Sequence, residues 1–322
     1  MILVIELIVI NILAFILYGV DKRKAHDHKW RLSEFSLIFI AVIGGAPGAF
    51  IGMRVFRHKT RKPKFYITIP VFLVLHTALA VFCLYQNYNL QVSRYDVDLN
   101  LEEDVTIVQI SDLHNQYYGQ GYSMLLDKVR EEDPDIIAVT GDLIDSVTPN
   151  YKLAKSFLYE ASKIAKVCYI TGNHEVRLDG ERFDKFVKDI TSEGVIFIDD
   201  DILYQDGFVL AGIADESLQT GYMVENQEPS KPLILLAHEP DYIDLYKKNG
   251  ADLVLAGHIH GGQFIIPGKG GLLSPDFTFF PEYYGDMYDL GSAKLVVSRG
   301  LGNSLVPVRI NNYPEIVVTD LT

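Results

Sequence analysis

Three apolar stretches, residues 1–20, 35–53 and 67–85, crowd into the first 86 positions of a 322-residue chain. Each is close to the roughly 20 residues that cross a bilayer. They predict an all-α membrane domain over residues 1–87, with two or three transmembrane or re-entrant segments. Charge divides at the same place. The first 86 residues hold eleven Lys and Arg against four Asp and Glu, a balance of +7, and the remainder carries −20. A domain that acidic is a poor general binder of nucleic acid, whose phosphates are held mainly by Lys and Arg. No nucleic-acid partner is expected. The basic residues sit in loops between apolar segments, where anionic lipid headgroups would be their neighbours.

The first stretch has no basic residues before it, unlike a secretory signal, and is followed by Lys22, Arg23 and Lys24. A second basic cluster, Arg54, Arg57, Lys59, Arg61, Lys62 and Lys64, precedes the third stretch. Both clusters favour the cytoplasm, yet a complete middle span would separate them. Either residues 35–53 enter and return at Gly44-Gly45-Ala46-Pro47-Gly48, or all three stretches span and the weaker cluster stays outside. Both alternatives place the following domain outside the cytoplasm; three full spans with an external N-terminus would place it inside, at the cost of leaving the six-charge cluster exposed. A multi-pass cell-membrane protein with an extracytoplasmic catalytic domain is therefore expected. His26, His28 and His58, among basic residues at membrane edges, are expected as interfacial side chains. Cys83 and Cys168 are too few for a disulfide framework and are read as packing residues. The strings "YGVDKRKA", "WRLSE", "GGAPGAFIGM" and "FRHKT" together resemble a small bacterial integral-membrane family of uncharacterised function, over roughly residues 5–86. That resemblance implies no reaction.

From about residue 88 short β-rich runs alternate with helical ones. A polar stretch at 95–103 suits a linker and a first edge strand. Strands are predicted at 105–110, 135–140, 167–171, 195–198, 208–213, 233–237, 253–256, 294–298 and 315–319. Helices are predicted at 124–132, 152–165 and 183–193. Strict βαβ succession fades after about residue 195, which points to an α/β fold built as a sheet sandwich with helices outside.

Five segments share one chemistry, each at the end of a predicted strand: Asp112-Leu113-His114, Gly141-Asp142, Gly172-Asn173-His174-Glu175, His238 and Gly257-His258-Ile259-His260. Open α/β sheets place ligands at such ends. Asp112 and His114 are two apart, so both side chains can face one way, and His258 and His260 repeat that spacing. Asp142 is a carboxylate on a glycine turn, able to bridge two ions. Asn173 offers an amide oxygen. A structural zinc takes about four ligands, whereas two carboxylates, one amide and four imidazoles exceed that and leave His174 over. Seven protein groups, one of them shared, suit two divalent ions, with Mn, Fe and Zn all compatible with oxygen and imidazole donors. Ions about 3.5–4 Å apart would hold a bridging hydroxide and clamp phosphate oxygens during in-line attack.

The ordered set resembles the calcineurin-like metallophosphoesterase superfamily over roughly residues 104–320. The resemblance implies a metallophosphoesterase-type β-sandwich flanked by helices. It implies a first metal held by Asp112, His114, Asp142 and His260, and a second by Asp142, Asn173, His238 and His258. His174 would bind no metal; it would face the phosphate and stabilise or protonate the departing oxygen. Glu175 and Asp145 would orient His174 and neighbouring backbone. Within the superfamily, "SDLH", "GDLIDS", "HGGQ" and "SRGLGNSLVPVRINNYPEI" look like a bacterial membrane-associated phosphodiesterase branch, which includes enzymes acting on UDP-diacylglucosamine-type pyrophosphates. Protein phosphatases carry arginine directly after the aspartate of "GDxxD"; here that position is Ser146, which disfavours phosphoprotein substrates. Arg177 and Arg299 are candidate phosphate partners.

The expectation is thus a membrane-anchored, metal-dependent phosphodiesterase or pyrophosphatase, acting on a phosphate ester at the membrane surface or cell envelope, with the lipid bilayer as its other partner. A nuclease or cyclic-nucleotide phosphodiesterase on the same site is the rival enzyme; a catalytically silent metal-binding scaffold is the rival of another class. Residues 272–289, rich in Phe, Tyr and Pro, are expected as a packed surface loop.

Overall fold

The computed structural model describes residues 2–218, 220–221, 224–303 and 308–322, with side chains from residue 5. Met1 of the first apolar stretch and residues 304–307 of the tail motif lie outside them. The chain forms two units, Met1–Tyr85 and Gln86–Thr322.

The first unit is helical: α1 (Ile2–His26), α2 (Glu34–Ile40), α3 (Ala46–Val55), α4 (Pro63–Tyr66) and α5 (Thr68–Tyr88). By length and apolarity, two stretches among the described residues suffice to cross a bilayer, Glu34–Val55 and Pro63–Tyr88. The first of these does not run straight. A straight helix of that length would hold its ends roughly 33 Å apart, yet both ends meet Asp21. The Leu32 N–H donates to Asp21 Oδ1 at 2.9 Å, and His58 Nε2 lies 2.7 Å from Asp21 Oδ2. Lys59 also reaches Glu34, at 3.3 Å. The chain reverses at Ile43 and Gly44, whose dihedrals leave the helix (Gly44 φ 122°). Glycine is needed there, because this φ lies in the left-handed region.

Residues 35–53 are therefore a helical hairpin that returns to the level at which it began. Non-helical backbone between apolar helices needs internal partners, and it has them. Asn11 of α1 donates to the Gly44 carbonyl (3.1 Å) and accepts from the Gly48 N–H (2.8 Å). His76 of α5 meets the Val42 carbonyl at 3.1 Å. A Cβ on Gly48 would sit 2.0 Å from the Asn11 carbonyl oxygen, so α1 and α3 touch backbone to backbone, as small residues permit. His58 is not the interfacial side chain expected of it. It is buried, in a cluster in which Asp21 also meets Arg31 (3.1 Å) and Lys59 (3.4 Å).

The second unit holds fourteen named strands: β1 (Gln91–Val97), β2 (Val105–Ile110), β3 (Ile136–Thr140), β4 (Lys166–Ile170), β5 (Ile196–Phe197), β6 (Ile202–Tyr204), β7 (Val209–Gly212), β8 (Leu233–Leu236), β9 (Leu253–Ala256), β10 (Ile265–Ile266), β11 (Gly270–Gly271), β12 (Asp286–Asp289), β13 (Lys294–Val297) and β14 (Glu315–Leu321). Its helices are α6 (Ser123–Glu131), α7 (Tyr151–Ala161), α8 (Gly180–Thr191), α9 (Asp215–Leu218) and α10 (Ile243–Lys248). One six-stranded sheet runs β1-β14-β2-β3-β4-β5 and the other β12-β13-β9-β8-β7-β6. The strands β2 to β5 are mutually parallel, as are β7, β8, β9 and β13. The edge strand begins earlier than the sequence suggests, at Gln91, and pairs in parallel with β14.

The two sheets face each other across one core, in which Ile107, Ile136 and Cys168 of the first meet Leu236, Leu255 and Val296 of the second. Helices cover the outer faces. In α7 the buried positions Ala154, Phe157, Leu158 and Ala161 follow the helical period and pack on the first sheet. Asn150 caps its start by accepting from the Leu153 N–H. On the other side, Ile243 and Tyr246 of α10 cover the second sheet. The unit is a mixed α/β sandwich flanked by helices. All five residues of β3 and all four of β9 are buried, as parallel strands covered on both faces must be.

Candidate metal centre

The five segments converge at the carboxyl ends of β2, β3, β4, β8 and β9. Asp112 follows β2 by two residues, Asp142 follows β3, Asn173 follows β4, His238 follows β8, and His258 follows β9. Local backbone is bent to bring them together. Asp112, His114, Asp142, His258 and His260 all have positive φ, between 43° and 70°. Such values are uncommon outside glycine and collect at functional sites. Glycines let the strand ends approach: a Cβ on Gly257 would lie 1.9 Å from Ser111 Oγ, and one on Gly141 would lie 2.6 Å from His238 Nδ1.

The meeting atoms are carboxylate oxygens, an amide oxygen and imidazole nitrogens, each of which carries a lone pair when deprotonated. His114 Nε2 lies 3.1 Å from His260 Nε2 and 3.4 Å from Asp142 Oδ2, and His260 Nε2 lies 3.5 Å from Asp112 Oδ1. His238 Nε2 lies 3.4 Å from the same Asp142 oxygen and 3.3 Å from His258 Nδ1. The Asn173 amide oxygen points into this second group, 3.2 Å from His238 Nε2. Ligands bound about 2.0–2.2 Å from a common divalent ion stand about 3.0–3.5 Å from one another. The oxygen and imidazole donors, with no thiolate, fit divalent ions, and Asp142 Oδ2 belongs to both groups.

Asn173 separates charge types. Its oxygen faces Asp142, His238 and His258, while its nitrogen lies 2.9 Å from an Arg177 guanidinium nitrogen. Turning the amide over would satisfy both sides without any ion. As placed, the oxygen joins the carboxylate and imidazole atoms that could ligate a cation, and the nitrogen lies beside Arg177.

Protonation follows burial. Burial holds the His114 and His258 imidazoles down at about 4, which leaves them neutral, as metal ligation requires. Burial pushes the Asp112 carboxyl up to about 6, with His238 opposing and the Asp142 charge adding to the rise. Burial also disfavours a charged His238, but Asp142 more than reverses this and holds its pKa well above the ordinary value. Such a pull toward positive charge is what a carboxylate-rich pocket exerts on any cation. His238 Nδ1 meets the Thr140 carbonyl at 2.9 Å, which fixes one proton there, so that a cation displacing the second proton would find Nε2 turned inward as a ligand.

His174 is held differently. The Ser146 N–H donates to His174 Nδ1 at 3.1 Å, and Ser146 Oγ lies at the same distance. A neutral His174 therefore carries its proton on Nε2. Glu175 and Asp145 hold neighbouring backbone, as expected of them, but not the His174 ring. Glu175 accepts from the N–H groups of Asp142, Ile144 and Gly172 and so fixes two strand ends. Burial, with the Asp142 charge, pushes its carboxyl up to about 8. Asp145 accepts from Val147 and Thr148 in its own turn. Neither bonds the His174 ring; Ser146 does. Asn312 also went unread in the sequence: its amide donates to the His260 carbonyl at 2.7 Å from 52 residues away. No local pattern marks either residue.

The ligand cluster opens on a cleft of about 230 Å³ lined by Asp142, Asn173, His174, Arg177, His258 and Pro275, among others. Arg177 faces this cleft. Arg299 does not: it is ion-paired with Glu315. Residues 272–289 are more than a packed surface loop, since Pro275 and Asp276 form part of the cleft wall.

A sandwich whose strand ends gather two groups of carboxylate, amide and imidazole donors around one shared aspartate defines a class of metal-dependent phosphoester hydrolases. Residues 105–262 match the calcineurin-like phosphoesterase family, and residues 11–65 match a family described only as a protein of unknown function, DUF1294. The chain is 30% identical over 235 residues to the uncharacterized metallophosphoesterase YkuE of Bacillus subtilis, covering 67% of this chain and 78% of that protein. The chain belongs to the calcineurin-like metallophosphoesterase family and is a metal-dependent phosphoester hydrolase. It is 26% identical over 228 residues to the phosphodiesterase YaeI of Escherichia coli, covering 67% of this chain and 81% of that one. Its N-terminal part is 46% identical over 79 residues to the uncharacterized protein YsdA of Bacillus subtilis, spanning 24% of this chain and 89% of that protein.

Proposed function

We propose that this chain is a membrane-anchored phosphodiesterase or pyrophosphatase that works with two divalent ions. Asp112, His114, Asp142 and His260 hold the first ion; Asp142, Asn173, His238 and His258 hold the second. The observation that carries this reading is the mutual approach of buried acceptor atoms, 3.1–3.5 Å apart, around one Asp142 oxygen. Bound there, the ions would supply an activated water and neutralise charge on the phosphate. The protein's own groups do the rest. Arg177 and the Asn173 amide turn N–H donors toward the phosphate oxygens. His174, with Nδ1 occupied by Ser146, presents its Nε2 proton to the departing oxygen. Ser146, in place of an arginine, leaves the cleft less suited to a phosphomonoester, and the name of the Escherichia coli relative supports a diester.

The apolar helices support a substrate at the membrane or cell envelope, such as a UDP-diacylglucosamine-like compound. The hairpin supports a definite topology. It lets α1 and α5 cross while both basic clusters stay on one side, so the cytoplasmic preference of those clusters puts the hydrolase outside the cytoplasm. The test is hydrolysis of bis-p-nitrophenyl phosphate by the full chain in detergent with Mn²⁺. Turnover that disappears in Asp142→Ala is expected. No turnover with any divalent ion, or full turnover in that variant, would sink the reading and favour a silent scaffold.

A further inference from the structure

One loop of the hydrolase unit displays its rings. Between β11 and β12, residues 272–281 form a turn held by polar side chains, with Ser274 buried and Asp276, Thr278 and three phenylalanines exposed. Ser274 Oγ donates to the Asp276 carboxylate, Thr278 Oγ1 donates to Asp276 Oδ2 at 2.9 Å, and the Thr278 N–H donates to Ser274 Oγ at 3.1 Å. Backbone bonds from Phe277 to Ser274 and from Phe280 to Leu272, each 3.0 Å, close the turn. The rings are left in solvent: Phe277 is 67% exposed, Phe279 69% and Phe280 49%. Among the described residues of this unit, these are the exposed phenylalanines.

The display is strained as well as unburied. Phe277 and Phe280 have φ of 66° and 54°, a region that bulky residues rarely enter. Backbone bonds within the turn hold this conformation, and the rings stay largely in solvent. Strain of this sort persists where the surroundings hold it, and it collects at sites of function. The loop also has a definite address. Pro275 and Asp276 line the cleft that holds Asn173, His174 and His258, and Val147, 79% exposed, lines it too. Whatever the rings touch lies beside the phosphate site.

We propose that Phe277, Phe279 and Phe280 insert into the interfacial layer of a lipid bilayer, and that the cleft takes its phosphoester from that surface. Two features favour a bilayer over a protein partner. The chain carries stretches long and apolar enough to cross one, and only Asn89 and Leu90 separate the last helical residue, Tyr88, from β1. Because the hydrolase part is strongly acidic, anionic headgroups do not attract it, and apolar insertion has to supply the contact. The rings also project from a narrow turn instead of lining a groove, which suits a soft interface better than a shaped one. The inference rests on the membrane-anchored phosphoesterase reading and gives that site its substrate class: phosphoesters presented at a lipid surface.

The experiment uses the full chain in vesicles of phosphatidylcholine and phosphatidylglycerol. The chain has one tryptophan, Trp30, so Phe279→Trp in a Trp30→Phe background reports from the loop alone. Quenching by bromine-labelled acyl chains, with a blue-shifted emission, is expected. Quenching by aqueous iodide instead, or by neither agent because a second copy covers the ring, would overturn the proposal. Phe277→Trp carries the same test if the first variant does not fold, with circular dichroism and melting as the check on folding. Bis-p-nitrophenyl phosphate turnover by the wild-type chain reports separately on the hydrolase reading, so the two can fail independently.

Discussion

The two units bury polar groups in opposite ways. In the helical unit each carboxylate near α1 meets its complement: Arg31 and Lys59 meet Asp21 by charge and His58 by a hydrogen bond, and Glu34 takes Lys59 and Lys62. In the hydrolase unit, carboxylate oxygens and imidazole nitrogens, all able to ligate a metal, crowd around Asp142. The first cluster is complete as it stands and ties both ends of the hairpin to α1. The second, on the proposed reading, is completed by cations. A closed cluster holds a fold together, whereas an open one of this kind holds a reagent.

That contrast can be broken at either end. The largest effect is expected from Asp142→Ala, which removes the shared ligand. Losing several kcal/mol of transition-state stabilisation, at about 1.4 kcal/mol per factor of ten, lowers diester turnover by about a thousandfold or more. The melting temperature of the metal-free variant stays close to that of the metal-free parent. Collapse of the fold instead would mean that Asp142 is structural. The mirror experiment is Asp21→Ala. It strands a buried Lys59 and His58, a loss on the order of 3–5 kcal/mol, and should appear as early unfolding of the helical unit. Turnover per folded molecule is expected to be unchanged, and a selective loss of turnover would link the two clusters.

Removing the ions sharpens the contrast further. Chelation should lower the melting temperature of the hydrolase unit and spare the helical one. Returning an ion to a hundred times its Kd restores about 2.7 kcal/mol, readable by calorimetry. A chelator-insensitive melt would deny that the acceptor cluster binds cations in the folded state. The smallest effect is expected from Ser146→Ala. The backbone N–H that holds His174 Nδ1 survives, so kcat should fall only about tenfold, at the low edge of general-acid contributions, with KM unchanged. A rise in KM with constant kcat would assign Ser146 to substrate binding instead.

Much of the hydrolase unit could be read in the sequence because its chemistry sits where hydrophobic runs stop. Runs such as 136–140 and 253–256 end at glycine, and the turns that follow carry Asp142 and His258. Periodicity finds the run, and residue type marks its end. Short elements such as β6, β12 and α10 escaped, since β6 and β12 are only partly buried edge strands without a continuous apolar run and α10 has fewer than two helical turns. The left-handed backbone of Asp112, His114, Asp142, His258 and His260 is a tertiary property without a local signature. The same holds for Ser146 on His174 and Asn312 on His260, which act across 28 and 52 positions. In the helical unit, composition left residues 35–53 able to span or to return. The decision came from Asp21, which binds both ends of the segment from a separate helix.

The central claim is that the open cluster around Asp142 holds two cations. Elemental analysis of the metal-replete full chain tests it most directly. The account predicts two divalent ions per chain, falling to one or fewer in Asp142→Ala; fewer than one ion per wild-type chain would contradict it.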